Sequence, residues 1–507
     1  MRWNRYWLLF AACALAWLAT YLILPPAMSG TDVFIFRDAG WNLAAYGSFK
    51  SAALRYMPDL VPRLYAHYTP LMPLLFAGYA SVFPRNAYAG TVFNLLLGLL
   101  GAAVALYGAL AQPKGKLRNW AALAVAVLPV AFITYDRPEA TAFVLFAATI
   151  AVAARPRVRP IAVGLLIALT FLAHPFFAIA AAVWVAALFL SRNWATTCRW
   201  PLTWRQVVVA GATAVIPIAA VALLYYSLDP TSLARFAAHS LGARSGLGVG
   251  FSGRSGGWLH GIRWAIFGVS GLGAWEYMAS LASTVLLAGW SIRNRRQLLP
   301  EEWLLVAAGV ACTLISIILF PFQYMYVTAS AFFIPIGLLV AGRQRTRLAV
   351  PGLALLLFAV LIRVPDLGFH LLERSEQGPS YRAALGQPAF LRAQLPSPDD
   401  IVTLEGDSYD LFKPQFHYMI HLNDAEDVDR FSKVDGVANC YDGLHGLGDS
   451  LRPFPAKLNA ADFHLVEPAP RHLWVTVFGR RIMHAQWGYG CDLYVRNNAA
   501  AAKSGMP

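Results

Sequence analysis

The sequence predicts an α-helical polytopic membrane protein of about eleven transmembrane helices, with juxtamembrane helices on its outer face and a small C-terminal α/β soluble domain. Three observations predict it. Of 507 residues, 58% are hydrophobic and only 13% charged, and the mean hydropathy is +0.51, a balance foreign to soluble globules. The apolar residues fall in runs of about 17–22, the length that crosses a bilayer as a helix. From about Pro365 the chain changes character, with acids at Asp366, Glu373, Glu376, Asp399, Asp400, Glu405 and Asp407.

Taken in order, the spans lie near 7–24, 88–111, 118–135, 138–154, 160–174, 176–191, 206–226, 275–292, 302–320, 324–341 and 348–364. The net charge of +14 is distributed unevenly between the connections. Lys114, Lys116 and Arg118; Arg155, Arg157 and Arg159; Arg192, Arg199 and Arg205; Arg293, Arg295 and Arg296; and Arg343, Arg345 and Arg347 stand in alternate loops. With Arg2 and Arg5 they place the N-terminus and these loops in the cytoplasm, in a multi-pass protein of the cell membrane, expected to be a bacterial inner membrane. A nucleic-acid surface is not expected, because the charges flank spans and none forms a long basic run. Segment 7–24 is followed by small residues, Ala27-Met28-Ser29-Gly30, as a cleaved signal would be, but its apolar core is long for one and it is read as a span.

On the outer face the loop 26–87 has its own organisation. Asp32 to Tyr46 reads as an amphipathic helix ended by Gly47, and Tyr68-Thr69-Pro70 opens an apolar stretch, Leu71 to Phe83, that stops at Pro84. A span here would put Lys114 to Arg118 outside and invert every later loop, so the stretch is read as a helix in or dipping into the outer interface. Residues 1–364 thus form the transmembrane part, 365–498 an extracytoplasmic α/β domain and 499–507 a disordered tail. Strands are expected at Ile401–Leu404, Phe463–Val466, Leu473–Phe478 and Cys491–Val495, with a weaker helix at Ala425–Ser432. Of the five cysteines, only Cys440 and Cys491 lie in this outer region; they are either free thiols or a bridge closing about 50 residues and contributing roughly 4 kcal/mol. No CxxC pair or His-rich spacing supports zinc or redox chemistry.

Few polar groups interrupt the apolar chain, and each has a structural and a chemical reading. Asp32 and Asp38 follow the first span in Ser29-Gly30-Thr31-Asp32-Val33-Phe34-Ile35-Phe36-Arg37-Asp38-Ala39-Gly40-Trp41-Asn42-Leu43. Asp32 suits an N-cap as well as a base, and Asp38, beside Arg37, an ion-paired or solvated acid or a substrate contact. Asp136-Arg137-Pro138-Glu139 has the form of a capping box, yet charges between two apolar spans are costly and suggest a contact with substrate. The loop 227–262 is glycine-rich and cationic, with Arg235, His239, Arg244, Arg254 and His260 against Asp229; free backbone N–H groups and guanidinium forks suit a phosphate. Arg244 and Arg254, flanked by Gly and Ser, are the strongest members. His67 and His174 read first as buried hydrogen-bonding histidines, with His67 also a candidate substrate contact, and Phe320 to Tyr326 as an interfacial aromatic belt.

The acid after the first span, Gly40-Trp41-Asn42-Leu43-Ala44-Ala45-Tyr46-Gly47-Ser48-Phe49 and Tyr68-Thr69-Pro70-Leu71-Met72-Pro73-Leu74 together resemble the first external loop of C-superfamily glycosyltransferases. That superfamily includes protein O-mannosyltransferases, lipid A aminoarabinose transferases and polyprenyl-phosphate-mannose-dependent mannosyltransferases. The resemblance covers roughly residues 1–350, and Tyr135-Asp136-Arg137-Pro138-Glu139-Ala140 occupies the place of the family's second acid. It implies transfer of a sugar from a polyprenyl phosphate or diphosphate carrier, usually with inversion, to a hydroxyl of a lipid, glycan or protein. Asp32, nearest the outer boundary, is then the base that takes the hydroxyl proton; Asp136 or Glu139 orients the acceptor, and Arg137, Arg244 and Arg254 face the substrate and its phosphate. No closely spaced carboxylates form a metal cage, so no cofactor is expected, although Asp32, Asp136 and Glu139 leave a divalent cation open; dispersed arginines favour a monophosphate donor. The alternative is a transporter or flippase of a lipid-linked glycan, which predicts midplane acids or unwound helices, whereas the acids here sit at the edge.

Overall fold

The computed structural model describes residues 4–25, 33–50, 69–110, 139–155, 159–194, 204–228, 230, 273–319, 334–339, 346–397, 400–405, 408–417, 419–421, 434–440, 454, 458–469, 474–477, 480–484 and 490–497. Helices α1 (Asn4–Ile23), α2 (Val33–Tyr46), α3 (Leu71–Val82) and α4 (Ala89–Leu110) open the chain. Helices Glu139–Ala153, Pro160–Ala173, Pro175–Trp194, Trp204–Leu228, Gly273–Arg293, Pro300–Leu319 and Thr346–Glu376 follow, close to the expected spans. The expected span 118–135, most of 324–341, the aromatic run 320–326, the weak helix 425–432 and the tail lie outside the described residues. Among the described residues, 2 helices, Arg5–Ile23 and Trp204–Leu228, are long and apolar enough to cross a membrane. The last long helix differs from expectation, running 31 residues straight through Pro365 to Glu376.

The chain divides into two compact units. The first comprises Met1–Trp17, Ala66–Leu71 and Asn94–Leu367. Its core is aromatic and small-residue packing: Phe143, Phe146 and Ile150 from one helix meet Phe176, Phe177, Ala181 and Trp184 from another, with Ala308 and Cys312 beside them. Glycines set the spacing. A Cβ at Gly101 would come within 2.9 Å of the Phe143 ring, and one at Gly164 or Gly337 would collide with Thr213 or the Trp184 ring. Close approach of this kind is the main source of attraction between helices in an apolar solvent. Helix Pro160–Ala173 starts with Pro at its first position and ends at His174, whose N–H donates to Thr170 O at 2.7 Å. Helix Trp204–Leu228 turns Val215, Ile216, Leu223 and Leu224 outward, a surface that lipid solvates and water does not.

The second unit comprises Leu18–Tyr65, Met72–Phe93 and Gly368–Pro507, so α2 and nearly all of α3 fold with the C-terminal region. Arg374, buried, donates from Nε to Pro25 O at 2.6 Å and from Nη2 to Tyr21 O at 3.3 Å, with its guanidinium 4.3 Å from the Tyr21 ring centroid. It thereby satisfies carbonyls that the end of α1 leaves unpaired and opposes the helix dipole. The sheet has strand order β2-β1-β3-β7-β4, from β1 (Ile401–Glu405), β2 (Met419–His421), β3 (Val434–Cys440), β4 (Phe463–Glu467) and β7 (Cys491–Arg496). Strand β1 is parallel to β2 and β3; β7 is antiparallel to β3 and β4. Strands β5 (Trp474–Val477) and β6 (Arg480–His484) form a separate antiparallel pair. The expected strands appear as β1, β4, β5 and β7. Strand β3, broken in sequence by Asp435, Gly436 and Asn439, gave no apolar run, because as a central strand it draws on neighbours for packing: Leu391, Leu395 and Val402 lie 3.5 Å from a Cβ at Gly436.

Cys440 and Cys491 face each other across β3 and β7 and are bridged, with S–S 2.04 Å. Gln387 completes this end of the sheet. Its Nε2 donates to Cys491 O at 2.8 Å and its Oε1 accepts from Cys491 N at 2.9 Å, so one buried amide pairs both backbone groups at the start of β7.

Candidate functional site

Helix α2 is the element that bears the first-loop chemistry, and its ends are fixed by local sequence. It stops because Gly47 takes a left-handed φ of 66°, where the Gly47 N–H returns to Leu43 O at 3.0 Å and Ser48 N to Asn42 O at 3.4 Å, the pairing of a glycine C-cap. In the middle, Arg37, Asp38, Ala39, Trp41 and Asn42 are all buried. Such burial on every side needs neighbours close at hand. Gly40 supplies the room for α3, since a Cβ there would sit 2.6 Å from Pro73 O and 3.1 Å from the Phe76 ring. Trp41 packs edge-on to Phe76 with centroids 5.3 Å apart, and Phe76 in turn to Phe93 at 5.3 Å.

Two adjacent charges in the centre of α2 are answered by residues that follow β1. Arg37 Nη1 lies 2.8 Å from Asp410 Oδ2, and Lys413 Nζ lies 2.7 Å from Asp38 Oδ1. Tyr409 OH donates a hydrogen bond to the same Asp38 oxygen, and Asn42 Nδ2 donates to Asp38 Oδ2 at 3.3 Å. Tyr409, Asp410 and Lys413 belong to the short helix Tyr409–Phe412 and the 3-10 turn Lys413–Gln415. The spacing of Tyr409 and Lys413, four residues apart, puts both on one face. Two cations and two carboxylates are thus buried in a neutral set, the condition for keeping ionised groups out of water. Burial first, then the negative charge and hydrogen bond of Asp38, raise the Tyr409 hydroxyl well above its ordinary pKa, so it remains a donor.

Further contacts extend the same grip along α2. Asn42 Nδ2 also donates to Lys50 O at 2.8 Å, Lys413 Nζ to His417 O at 2.9 Å, and the His417 ring stacks on Tyr46 at 3.7 Å. Arg85 Nη2 donates to Ala44 O at 2.5 Å. The guanidinium of Arg37 lies 5.8 Å from the Phe76 ring centroid and fills the space a side chain at Gly90 would need.

Asp38 is therefore ion-paired, to Lys413, and Tyr409 and Asn42 also engage its oxygens. Glu139 is the first residue of helix Glu139–Ala153. Asp32, which immediately precedes α2, and His67, Asp136, Arg137, Arg244 and Arg254 lie outside the described residues. Tyr409, Asp410 and Lys413 gave no sequence signal of their own; the only local hint was that an Arg-Asp pair within an apolar helix requires partners. Among the described residues no group of three or more His, Cys, Asp or Glu side chains could hold a metal ion.

No protein-family model and no curated protein matches the sequence. Among solved structures, the chain is similar to the Archaeoglobus fulgidus oligosaccharyltransferase in complex with Zn and sulfate, at 12% identity over 85% of this chain and 67% of that one, with a TM-score of 0.43. It is similar to the same organism's oligosaccharyltransferase AglB in complex with an inhibitory peptide and a dolichol-phosphate, at 11% identity over 86% of this chain and 69% of that one, TM-score 0.43. ArnT from Cupriavidus metallidurans in the apo state is similar at 15% identity over 83% of this chain and 86% of that one, TM-score 0.43. At such identity and TM-score the likeness assigns no residue a role.

Proposed function

We propose that this chain is an integral membrane glycosyltransferase that moves a sugar from a polyprenyl monophosphate carrier to a hydroxyl of a lipid, glycan or protein at the outer face of the membrane. The observation that carries the reading is that Asp32 directly precedes α2, whose Arg37 and Asp38 are held by two buried ion pairs. A general base works only when its support is fixed, because misplacement by about 1 Å costs up to a hundredfold in rate. In this reading Asp32 takes the proton of the acceptor hydroxyl as its oxygen attacks the anomeric carbon. The bond from that carbon to the carrier phosphate breaks on the opposite side, inverting the configuration. Arg244 and Arg254 stabilise the departing phosphate, Asp136 and Glu139 orient the acceptor, and His67 and Arg137 add contacts to substrate. The reaction requires no cofactor. Transfer from defined synthetic lipid-linked sugars, scored by product mass, tests it. Product from a monophosphate donor is expected; product only from a diphosphate donor overturns the donor, and none from either favours a lipid-glycan transporter.

A further inference from the structure

Resting on that reading, we propose that the C-terminal region is the positioning element for the acid-bearing helix: Tyr409, Asp410 and Lys413 fix the register of α2 through Arg37 and Asp38 and so set the place of the residue that precedes it. The topology puts these three residues where α/β sheets carry function. Strand β1 lies between its parallel neighbours β2 and β3, so the next two strands in the chain stand on opposite sides of it. The carboxyl ends of β1 and β3 then lie where the strand order reverses, the usual place of a ligand in such sheets. The segment Ser408 to Lys413 follows the carboxyl end of β1, and the group its side chains engage is the chain's own first loop.

The chemistry of the contact favours positioning over simple adhesion. Apolar side chains would hold α2 as tightly, since a buried ion pair roughly cancels its own desolvation, but ionic partners accept only one register. Two adjacent charges of opposite sign on α2 meet two charges of opposite sign three residues apart, and sliding or turning the helix by one residue would set like against like. The holds are spread from Arg37 to the Tyr46–His417 stack, about 13 Å along the helix axis, so tilt as well as rotation is restrained. Room for the Arg37 guanidinium exists only because position 90 is glycine.

The test combines hydrogen exchange of the full chain in detergent with transfer kinetics. Asp38→Asn and Lys413→Met should each raise exchange of peptides within 33–46 by at least about tenfold more than exchange in β3 and β7. They should lower kcat by about 10- to 100-fold with little change in the KM for the donor lipid. The double variant, which leaves no lone buried charge, should recover part of both losses. Tyr409→Phe, which removes one hydroxyl, gives the same comparison in smaller measure should the charge variants fail to fold. Unchanged exchange in 33–46, or loosened variants that keep wild-type kcat, overturns the positioning role and leaves the glycosyltransferase reading intact. Absence of transfer by the wild type from every lipid-linked sugar overturns that reading, and with it the purpose of the clamp.

Discussion

Lys413 Nζ and Asp38 Oδ1 meet at 2.7 Å in the interior of the second unit, neither side chain exposed. Buried pairs of this kind add little net stability, yet removing one partner strands the other charge. Lys413→Met should therefore lower unfolding stability by about 3–5 kcal/mol, and Asp38→Asn in the same chain should recover much of it. Thermal unfolding of both variants followed by intrinsic fluorescence decides this; equal loss in the single and double variants would mean that the lysine acts by packing alone.

Two glycines near that pair are expected to resist the smallest substitution. Gly40→Ala sets a methyl 2.6 Å from Pro73 O, a backbone atom that cannot swing aside, and Gly90→Ala meets the Arg37 guanidinium. Each should cost about 1–3 kcal/mol by overpacking. Gly90→Ala differs in also disturbing the Arg37–Asp410 pair, so combining it with Arg37→Met should be less than additive, whereas Gly40→Ala with Arg37→Met should be closer to additive.

How much of this could be read from the chain depended on the range over which each signal acts. Helices α1, α2 and α3 were legible because apolar length, Gly47 and Pro84 are local facts about a few neighbouring residues. Strands β1, β4, β5 and β7 were legible as short apolar runs between polar ones. Strand β3 was not, since its packing partners are supplied by other elements. The clamp was the least legible, because Tyr409 and Asp38 are separated by 371 residues and Ser408 to Lys413 is an unremarkable polar-aromatic segment. The charge pairing of Asp38 was expected, but Lys413, a cation from the far end of the chain, was not.

At the other end of the same sheet, Gln387 holds both backbone groups of Cys491. Gln387→Leu leaves a buried N–H and C=O without that partner, for a loss of about 1–3 kcal/mol per group. The Cys440–Cys491 bridge, closing 51 residues, contributes roughly 4 kcal/mol in the chain-entropy view. Exchange of the Cys491 amide should quicken in Gln387→Leu with the bridge still closed, as read by mass after thiol alkylation. An open bridge in that variant would show that Gln387 guards the disulfide instead of the strand.

The alternation of basic loops predicts which face each segment occupies. Gly436 is buried within β3, whereas Ala461 is exposed in the 3-10 turn before β4. A cysteine at position 461 should react with a membrane-impermeant maleimide in intact cells or spheroplasts, and one at Gly115, in the Lys114 to Arg118 loop, only after permeabilisation. Reaction of position 115 from outside would reverse the map and separate Asp32 from the face assigned to transfer.

Asp32 is the residue on which the proposed chemistry turns. It precedes α2, where an aspartate can also cap the helix by accepting from its first free N–H groups, and that role is worth about 1 kcal/mol. Substitution by asparagine separates the two roles, because asparagine caps as well as aspartate but cannot take up a proton. Asp32→Asn should accordingly keep the unfolding temperature and the slow exchange of α2 while lowering transfer by at least about a hundredfold. Asp32→Ala should lose both. Transfer by Asp32→Asn within a few-fold of wild type would leave Asp32 as a cap and pass the role of base to Asp136 or Glu139, because Asp38 is held in its pair with Lys413.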